Sequence, residues 1–289
     1  MKLLITGSTG RLGGALIRHY AARHDLITPG RDRLDLSMPE SVARALVDVD
    51  FDLLINCAGI TSPDVCEREP DLATRINAEA PTALAIECRR RGARMIQIST
   101  DYVYDGRVEG LLDELNPTQP INHYGRTKRD AETAVMRECP QSLVARVSWL
   151  FGASNSPSFP DQVLKEARQN KRVEAIGDKW SAPTFVNDIA VWLERLWQIT
   201  PQVSGLLNLC NSGQATWQTY GQQVVDFALD HGLLTEPLTV KGNRLDDFPH
   251  FIARRPRHTV MSNARLAGYL GHPIRSWQEA LREWVHAQA

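Results

Sequence analysis

A tyrosine and a lysine four residues apart form the strongest chemical signal in this sequence. Tyr124 and Lys128 bound the motif Tyr-Gly-Arg-Thr-Lys at the head of a predicted helix. Residues four apart on a helix share a face, so the ammonium is expected beside the phenol. A nearby ammonium favours the phenolate and should lower the pKa of the tyrosine from about 10 toward working pH. The tyrosine can then act as the acid in carbonyl reduction or as the base in alcohol oxidation.

A threonine at the end of an apolar run supplies a second polar group. The run Met95–Ser99 is a predicted strand, and Thr100 follows it directly. Ligands of doubly wound folds bind at the carboxyl ends of parallel strands, where Thr100 can hydrogen-bond a substrate carbonyl. Thr100, Tyr124 and Lys128 are therefore the predicted catalytic set. A Tyr-x-x-x-Lys motif by itself is equally typical of an exposed helix turn, and it gains weight from a glycine motif near the N-terminus.

Three glycines in that motif predict a dinucleotide site. Gly7, Gly10 and Gly13 have the spacing GxxGxxG between a predicted strand, Lys2–Thr6, and a predicted helix, Arg11–Arg23. A pyrophosphate needs free backbone N–H groups at a helix N-terminus and no side chain in the way. The first glycine makes the turn, the second allows close approach, and the third lets the helix pack on the strand.

The tip of the second predicted strand distinguishes two cofactors. An arginine there suits the 2′-phosphate of NADP, whereas a carboxylate would hold the ribose 2′-hydroxyl of NAD. Arg31 comes first after Asp25–Thr28 and Arg33 adds to it, so NADPH is the predicted cofactor. Asp32 keeps NADH open as the alternative, and the same residues would also suit a solvated charged turn.

These groups need a scaffold that brings strand ends together, and the first half of the chain predicts one. Short apolar runs alternate with helix-length amphipathic segments, as in βα units that build a parallel sheet. The predicted strands are Lys2–Thr6, Asp25–Thr28, Leu53–Cys57, Met95–Ser99 and Leu143–Val147, and the predicted helices are Arg11–Arg23, Pro39–Asp48, Pro70–Arg91 and Lys128–Cys139. The expected fold is α/β, a doubly wound parallel Rossmann sheet with a smaller, partly interleaved C-terminal substrate lobe.

The regular alternation of apolar runs and helical segments becomes less clear after Trp149. The predicted features are a loop at Gly152–Pro160, a helix at Asp161–Gln169, a strand at Val173–Ile176, a helix at Asn187–Trp197, an irregular polar segment at Gly242–His258 and a last helix at Trp277–His286. Residues 1–150 are the expected dinucleotide-binding Rossmann domain, with 173–210 returning to it. Residues 211–289 plus 151–172 are the expected substrate-binding lobe.

Composition excludes several classes of protein. The 289 residues are 43% hydrophobic and 23% charged, which is typical of a soluble globular enzyme. A net charge of −1 gives no field that would attract nucleic acid or an anionic membrane, so neither partner is expected. Five scattered cysteines without a CxxC pair favour a reducing cytoplasm over a disulfide framework or a zinc site.

Together these motifs resemble the extended short-chain dehydrogenase/reductase superfamily and, more narrowly, the dTDP-4-dehydrorhamnose reductase family nearly end to end. The matching stretches are Asn56–Gly59, Ser99–Gly106, Tyr124–Lys128, Arg146–Gly152, Gly177–Thr184 and Arg254–Pro256. The resemblance implies that Thr100, Tyr124 and Lys128 are catalytic. It also implies that NAD(P)H reduces C4 of a dTDP-4-keto-6-deoxyhexose while Tyr124 supplies the proton.

The resemblance further implies which residues contact the two ligands. The expected cofactor-binding residues are Gly7, Thr9, Gly10, Arg11, Leu12, Gly13, Arg31, Asp35, Leu36, Ala58, Gly59, Thr61, Tyr124 and Lys128. Among them, the pair at 35–36 would lie by the adenine, and those at 58–61 by the ribose and nicotinamide. The expected substrate-binding residues are Thr100, Asp101, Tyr102, Val103, Trp149 and Arg255. An arginine suits this site because its fork pairs bidentately with a pyrophosphate.

The chain also departs from the family pattern. Arg257–Val260 stands where the family usually has a His or Lys-Asn-Ser stretch, and His123 precedes the tyrosine. The pocket is therefore open to a different nucleotide or keto sugar. The acidic cluster that some relatives use for magnesium at a dimer interface has no match, so no metal is predicted, and a homodimer is left open.

Two other functions stay open beside the reductase. A regulatory NADP-binding subunit of another enzyme would keep the fold, but it has no chemical need for a paired tyrosine and lysine. An epimerase of a nucleotide sugar would share the catalytic set. A dehydratase would need Thr-Asp-Glu, whereas Tyr102 follows Thr100 and Asp101 here.

Overall fold

Parallel pairing of six strands forms the framework of the molecule. The computed structural model describes residues 1–154, 156–170, 172–199 and 202–289. Its strands are Lys2–Thr6 (β1), Asp25–Ile27 (β2), Leu53–Asn56 (β3), Arg94–Thr100 (β4), Leu143–Val147 (β5), Leu150–Phe151 (β6), Glu174–Ile176 (β7), Trp180–Ser181 (β8), Thr184–Phe185 (β9), Gly205–Asn208 (β10), Ala215–Thr216 (β11) and Lys241–Asn243 (β12). Within the described residues, the main sheet has the order β10-β5-β4-β3-β1-β2, and all its strands are parallel.

Helices cover both faces of this sheet. They are Arg11–Tyr20 (α1), Val42–Ala45 (α2), Pro63–Arg68 (α3), Pro70–Thr74 (α4), Ala80–Arg91 (α5), His123–Glu138 (α6), Phe159–Asn170 (α7), Val186–Gln198 (α8), Trp217–Asp230 (α9), Ala264–Leu270 (α10) and Trp277–His286 (α11). Leu3 and Ile5 pack with residues of α1 and α8, whereas Leu4 and Leu54 pack with residues of α2 and α5. Strands covered on both faces are continuously apolar, which is why the runs lack alternation. The predicted doubly wound α/β class is confirmed.

The strand order reverses direction beside β1. The chain adds β2 on one side of β1 and then crosses over to place β3 on the other side. Ligands of doubly wound sheets bind at such a switch point, outside the carboxyl ends of the strands. The ends of β1, β3 and β4 lie side by side at this edge, so the segments that follow them can form one site.

Two predicted helices of the first half are different in the structure. The prediction of one helix over Pro39–Asp48 is wrong, because a 3₁₀ turn precedes the short α2 and the backbone leaves the helical region at Leu46. The following Val-Asp-Val-Asp run has low helix propensity. The predicted helix over Pro70–Arg91 is interrupted by a π-helical turn at Arg75–Glu79. Pro81 has no N–H to donate to the carbonyl four residues earlier, which accounts for a wider turn there.

The predicted helix at Lys128–Cys139 begins five residues earlier, at His123. Asn122 caps it, since its Oδ1 accepts the N–H of Gly125 at 2.8 Å. Asparagine is a preferred N-cap residue and was the available signal for this start. Tyr124 and Lys128 therefore both lie within the first two turns of α6.

A second apolar cluster lies outside the main sheet. It contains Phe151, Val173, Tyr220 and Trp284 and is built mainly from α7, α9 and α11. The predicted irregular segment at Gly242–His258 begins with strand β12, which pairs with β7. Helices α3, α9 and α10 were not predicted individually.

Residues 173–210 are predicted to return to the first domain, and only some of their elements pack on the main sheet. Helix α8 packs on α1, and β10 adds to the sheet edge beside β5. By contrast, β7 pairs with β12, and Leu266 of α10 joins the core of the main sheet. The domain boundaries stay a prediction, and residues 155, 171, 200 and 201 within the predicted ranges lie outside the described residues.

Among the helices of the described residues, none has the length and apolar character needed to cross a lipid bilayer.

Candidate active site

A row of buried polar side chains joins the ends of the three strands at the switch point. Thr6 donates to Oδ1 of Asn56 at 2.5 Å, and Asn56 donates to Oε1 of Gln97 at 2.8 Å. Thr6 also accepts the N–H of Ala58 at 3.3 Å. These bonds fix the turn after β3 against the loop after β1. The sequence analysis found the Asn56 turn, but it gave no reason to select Gln97, which lies within an apolar run.

The glycine loop after β1 has no room for side chains. Gly7 has a φ of +67°, and a Cβ there would lie 2.7 Å from the backbone nitrogen of Ala58. A Cβ on Gly13 would lie 2.2 Å from the carbonyl oxygen of Gly7. Within the described residues, no side chain caps the start of α1. The first-turn N–H groups of this helix thus face outward without intrahelical acceptors, as a bound pyrophosphate requires.

The predicted cofactor-binding residues differ in how far they are exposed to solvent. Thr9, Gly10, Arg31, Gly59 and Thr61 are exposed, Gly7, Arg11, Asp35 and Ala58 are half-buried, and Leu12, Gly13, Leu36, Tyr124 and Lys128 are buried. The guanidinium of Arg11 donates to the carbonyls of Gly152 and Ser156 at 2.7 and 2.8 Å. Its side chain therefore holds the loop after β6, and a cofactor would be held by its backbone N–H.

The structure brings the predicted catalytic residues together at the end of β4. The Thr100 side chain lies close enough to Tyr124 to lower the pKa of its phenol. Lys128 donates at 2.6 Å to the carbonyl oxygen of Ile98, which lies two residues before Thr100 in β4. Gly125 makes this packing feasible, since a Cβ there would lie 2.2 Å from the carbonyl oxygen of Tyr102. Helix α6 can thereby lie directly against the segment that follows β4.

The electrostatics of the tyrosine differ from the expectation. Burial raises the pKa of Tyr124 above its ordinary value, and the nearby Thr100 side chain offsets only part of that rise. Burial also lowers the pKa of Lys128 to about 8, although Glu132 opposes this effect. The expected lowering of the tyrosine pKa by the lysine is therefore wrong for this structure, because desolvation dominates both groups.

Two buried asparagines that the sequence analysis missed hold the site together. Asn122 is fully buried and donates to the carbonyl oxygen of Arg254 at 2.7 Å, besides capping α6. Asn77, in the π-helical turn, accepts the N–H of Ile60 at 2.8 Å and donates to its carbonyl at 3.0 Å. This pair of bonds shapes the loop after β3. A π-helical turn often marks a functional position, but its location could not be read from the sequence.

A buried lysine that the sequence analysis missed lies beside Tyr102, close to the predicted substrate-binding residue Asp101. Lys179 is 1% exposed, and its Nζ lies 5.1 Å from the centre of the Tyr102 ring and 5.5 Å from that of Trp149. Asp101 is buried as well and accepts bonds from three hydroxyls. Lys179 lies in Gly177–Thr184, one of the stretches that resemble the family, but nothing in the sequence indicates a role for this lysine.

The predicted substrate-binding residues fall into two groups. Tyr102 is half-buried with its ring 5.6 Å from that of Tyr124, and Trp149 stacks on Trp217 at 3.9 Å. Trp149 has a φ of +40°, which is rare for a bulky residue and marks backbone strain. Val103 is fully buried in an apolar cluster, so its side chain is not available to a ligand. The predicted contact of Val103 with the substrate is therefore wrong for its side chain and is limited to its backbone.

A cleft of about 400 Å³ lies between residues 105–107, which follow the end of β4, and residues 245–257, and the predicted catalytic residues are not among those that line it. Its lining combines arginine with aromatic side chains, among them Arg107, Phe248, Phe251, Arg254 and Arg255. Arg254 is exposed, and its side chain makes no hydrogen bond or ion pair with the part of the chain that the structure describes. Such a lining suits a ligand with a planar ring and negative charge.

Two other arginines of the cleft, Arg255 and Arg257, have partners in the chain itself. Arg255 is 10% exposed and donates to Asp64 at 2.6 Å and to the carbonyl of Ala253 at 2.9 Å. Arg257 pairs with Asp178 and with Asp246. Internal carboxylates therefore balance the charge of these two arginines.

Known reductases are similar to this chain over its whole length. Residues 1–289 match the family model of the RmlD substrate binding domain. A probable dTDP-4,6-dihydroxy-2-methyloxan-3-one 4-ketoreductase of Streptomyces antibioticus is 34% identical over 287 residues, which cover 98% of this chain and 94% of the relative. A dTDP-4-dehydrorhamnose reductase of Burkholderia thailandensis is 30% identical over 293 residues, 97% of each protein.

The structural comparison agrees with the sequence comparison. The crystal structure of dTDP-4-dehydrorhamnose reductase from Bacillus anthracis in complex with NADP has a TM-score of 0.89 and 25% identity, covering 98% of both chains. The resemblance predicted from the motifs is confirmed. The chain belongs to the family of the RmlD substrate binding domain, whose model it matches from its first residue to its last.

Proposed function

We propose that this protein is an NADPH-dependent reductase of the 4-keto group of a dTDP-linked 6-deoxyhexose. The observation that carries the proposal is the meeting of the glycine loop, Thr100, Tyr124 and Lys128 at one sheet edge, beside a cleft lined by arginine and aromatic residues. The relatives named as 4-ketoreductase and dTDP-4-dehydrorhamnose reductase support the substrate class.

The chain's own residues would hold the cofactor at the switch point. The N–H groups of Arg11, Leu12 and Gly13 would bind the pyrophosphate, since the glycine loop leaves a cradle that a Cβ would fill. Arg31, exposed after β2, would pair with the 2′-phosphate. Asp35 and Leu36 would border the adenine, with Ala58, Gly59 and Thr61 at the ribose and nicotinamide. When bound, the reduced nicotinamide supplies a hydride.

Tyr124 would deliver the proton in the same reaction. Its burial keeps the phenol protonated, so the hydroxyl can donate to the carbonyl oxygen of the substrate as negative charge develops there. Lys128, held by the Ile98 carbonyl, would lie one helical turn away as the cation that favours the phenolate after transfer. Thr100, which lies beside the phenol, would help to orient it and the carbonyl oxygen of the substrate.

The sugar nucleotide would occupy the cleft beside Tyr102 and Trp149. Arg254 and Arg255 both line it and would bind the diphosphate, with Arg255 oriented by Asp64. Remote binding of this kind positions the 4-keto carbon, so it should support turnover as well as affinity.

The two other functions are less well supported. A regulatory subunit would not need Thr100, Tyr124 and Lys128 brought together at one strand end. An epimerase of a nucleotide sugar would share the catalytic set, but the similar proteins are named as reductases. A dehydratase, a further enzyme of the superfamily, would need a carboxylate where Tyr102 places its ring against Tyr124. Neither alternative is favoured by a further observation.

We also propose a cellular location and an oligomeric state for the protein. A reducing cytoplasm suits five free thiols, and the net charge of −1 does not suit a nucleic-acid partner. A homodimer is proposed on the family resemblance alone, and light scattering of the purified protein would decide it.

Arg31→Ala should raise the KM for NADPH about tenfold or more and leave that for NADH nearly unchanged. A charge-assisted bond to a phosphate is worth roughly 1.5–3 kcal/mol, which corresponds to about that factor. Steady-state kinetics with both cofactors measure it. Arg33→Ala removes the same charge two residues further along the chain and should raise the KM for NADPH by a smaller factor. Equal losses with NADPH and NADH would contradict the assignment and indicate that Arg31 only shapes the turn.

Arg255→Ala should raise the KM for the nucleotide-linked keto sugar about tenfold or more, and it should narrow the preference for this substrate over the free keto sugar. Asp64→Asn is the matched control, because it breaks the same ion pair but retains the arginine. If Arg255 binds the diphosphate, the KM for the nucleotide-linked sugar should rise much less in the control. Similar losses in both variants would mean that the pair is structural, and efficient turnover of the free sugar would contradict the substrate class.

A further inference from the structure

The side chain of Lys179 is buried where three segments of the chain meet. It is 1% exposed, and its Nζ donates to the carbonyl oxygen of Pro256 at 2.9 Å. The same atom lies over two aromatic rings, 5.1 Å from the centre of Tyr102 and 5.5 Å from that of Trp149. One ammonium therefore contacts the segment that follows β4, the residue that precedes β6 and the segment 253–257.

The charge of this lysine is matched by the two aromatic faces. Burying an ammonium costs free energy, and an apolar side chain would fill the same space without that cost. Among the described residues, the Pro256 carbonyl is the only hydrogen-bond acceptor of Lys179. The negative face of an aromatic ring attracts a cation most strongly away from water, so the two rings stabilise the ammonium further. Burial lowers the pKa of Lys179 to about 8, and the field of Asp101 opposes this effect, so the group is charged at pH 7.

Both rings belong to the predicted substrate site. The Tyr102 ring lies 5.6 Å from the ring of Tyr124, the proposed proton donor. Trp149 has a φ of +40°, and such strain persists only where the surroundings fix the residue. Stacking on Trp217 at 3.9 Å and the ammonium of Lys179 both act on its indole. The lysine is therefore one of the groups that fix the two rings.

The hydrogen bond of Lys179 leads to the other part of the site. Pro256 lies between Arg255 and Arg257, both of which line the cleft that would bind the sugar nucleotide. Gly106, from the other wall of the cleft, packs closely on this proline, since a Cβ on the glycine would lie 2.6 Å from the proline Cβ. The predicted catalytic residues do not line the cleft, so the reaction requires a fixed distance between the cleft and the proton donor. Lys179 contacts both parts.

We propose that Lys179 is a positioning residue for the reduction. Its ammonium holds residues 253–257 in register with the rings of Tyr102 and Trp149. A sugar nucleotide bound through its diphosphate then presents its keto carbon to Tyr124. This role rests on the proposed function, in which the diphosphate binds at 253–257 and Tyr124 is the acid. Remote binding raises the rate only where the two parts of the site are aligned, and a displacement of about 1 Å can lower turnover by about 10²-fold.

Lys179→Met tests this role, because methionine fills a similar volume without a charge or an N–H donor. At pH 7, the kcat for the nucleotide-linked keto sugar should fall by about tenfold to a hundredfold. The inhibition constant of dTDP, used as a competitor, and the KM for NADPH should change by less than about twofold, since Asp64 and Asn122 also hold the segment 253–257. A residue that only supported the fold would alter all three constants together.

Two further variants serve as controls. Lys179→Gln keeps an N–H donor but carries no charge, so it should lose nearly as much turnover as Lys179→Met. Lys165→Met makes the same exchange at an exposed position of α7 and should keep the wild-type constants. A wild-type kcat in Lys179→Gln would mean that the ammonium does not act on the rings. A rise in the dTDP inhibition constant as large as the loss of kcat would mean that Lys179 only supports the fold of the cleft. Either result overturns the inference.

A spectroscopic measurement follows the indole without turnover. In protein labelled with 5-fluorotryptophan, the fluorine resonance of Trp149 is assigned by its absence in Trp149→Phe. This resonance should shift or broaden in Lys179→Met and in Lys179→Gln, because both variants remove the charge beside the ring. The resonance of Trp197, which packs on Tyr20 in the core of the main sheet, should stay in place. An unchanged Trp149 resonance in both variants would overturn the inference.

A double-variant cycle shows whether Lys179 acts through the indole. Trp149→Leu already removes one ring contact, so adding Lys179→Met in that background should lower kcat by a smaller factor than in the wild-type chain. Equal factors in the two backgrounds would overturn the inference. If the wild-type protein reduces no 4-keto nucleotide sugar but the Trp149 resonance responds as expected, the proposed function fails, and the contact of Lys179 with the ring stands. If turnover is present and Lys179→Met leaves it unchanged, the inference fails alone.

Discussion

Tyr124→Phe is expected to lower the rate of carbonyl reduction by about 10²–10⁴ while leaving the affinity for NADPH largely intact. The variant removes one oxygen at the proposed proton donor and retains the ring that packs 5.6 Å from Tyr102. The helix around it is fixed by the Asn122 cap and by the contact of Gly125 with the Tyr102 carbonyl, so the loss should be chemical and not structural. Single-turnover reduction with saturating NADPH measures it.

The control for this change is a tyrosine outside the site. Tyr269 lies half-exposed on α10, and Tyr269→Phe removes the same atom without touching the strand end. It should retain the wild-type rate. NADPH affinity, followed by fluorescence titration, should be similar in both variants. A residual rate above about a tenth of wild type in Tyr124→Phe is too high for the loss of a general acid and would remove that role from Tyr124.

The sequence predicts the scaffold of this site better than its electrostatics. The strands at Lys2–Thr6 and Leu143–Val147 and the helix at Trp277–His286 have the predicted bounds, because continuous apolar runs and amphipathic periodicity are local signals. The glycine loop and Thr100 lie at strand ends. The alternation of apolar runs with helical segments indicates where those strands end. The family likewise follows from motifs that are contiguous in the chain.

The direction of the tyrosine pKa could not be predicted in the same way. The spacing of Tyr124 and Lys128 indicates their proximity, but it carries no information on how deeply the fold buries them. Similarly, Asp64 lies far from Arg255 in sequence, and their ion pair depends on the packing of two distant loops. Lys179 and Asp101 become neighbours only when the segment around β8 folds onto the end of β4. Long-range contacts of this kind have no local pattern.

The buried ion pair beneath the site is such a contact, and it has a large expected effect on stability. Arg146 of β5 donates to both carboxylate oxygens of Glu132 of α6, at 2.8 and 2.6 Å, and both residues are almost fully buried. Glu132 also accepts from Ser99 at 2.6 Å, and Arg146 donates to the Tyr104 hydroxyl at 2.8 Å. The ion pair thus fastens α6, which carries Tyr124 and Lys128, to β5, and the Ser99 bond fastens the same helix to β4, which ends in Thr100.

Glu132→Ala should therefore lower the free energy of unfolding by about 3–5 kcal/mol, because it leaves the Arg146 guanidinium buried without a counter-charge. Urea unfolding curves measure the change. Asp130→Ala on the same helix is the matched control, since it breaks an ion pair with Arg129 that is exposed to solvent, and it should cost no more than about 1 kcal/mol.

A paired replacement separates the cost of an isolated charge from the worth of the ion pair itself. Replacing both partners by apolar residues of similar size, as in Glu132→Leu with Arg146→Met, removes the uncompensated charge and should recover much of the lost stability. The recovery should be incomplete, because Ser99 and Tyr104 each lose a hydrogen-bond partner in the interior. A double variant as unstable as Glu132→Ala would mean that packing around Glu132, and not the stranded charge of Arg146, accounts for the loss. If the double variant regains its stability but turns over more slowly, Ser99 and Glu132 help to position the neighbouring Thr100. Lost stability would then not account for the lost activity.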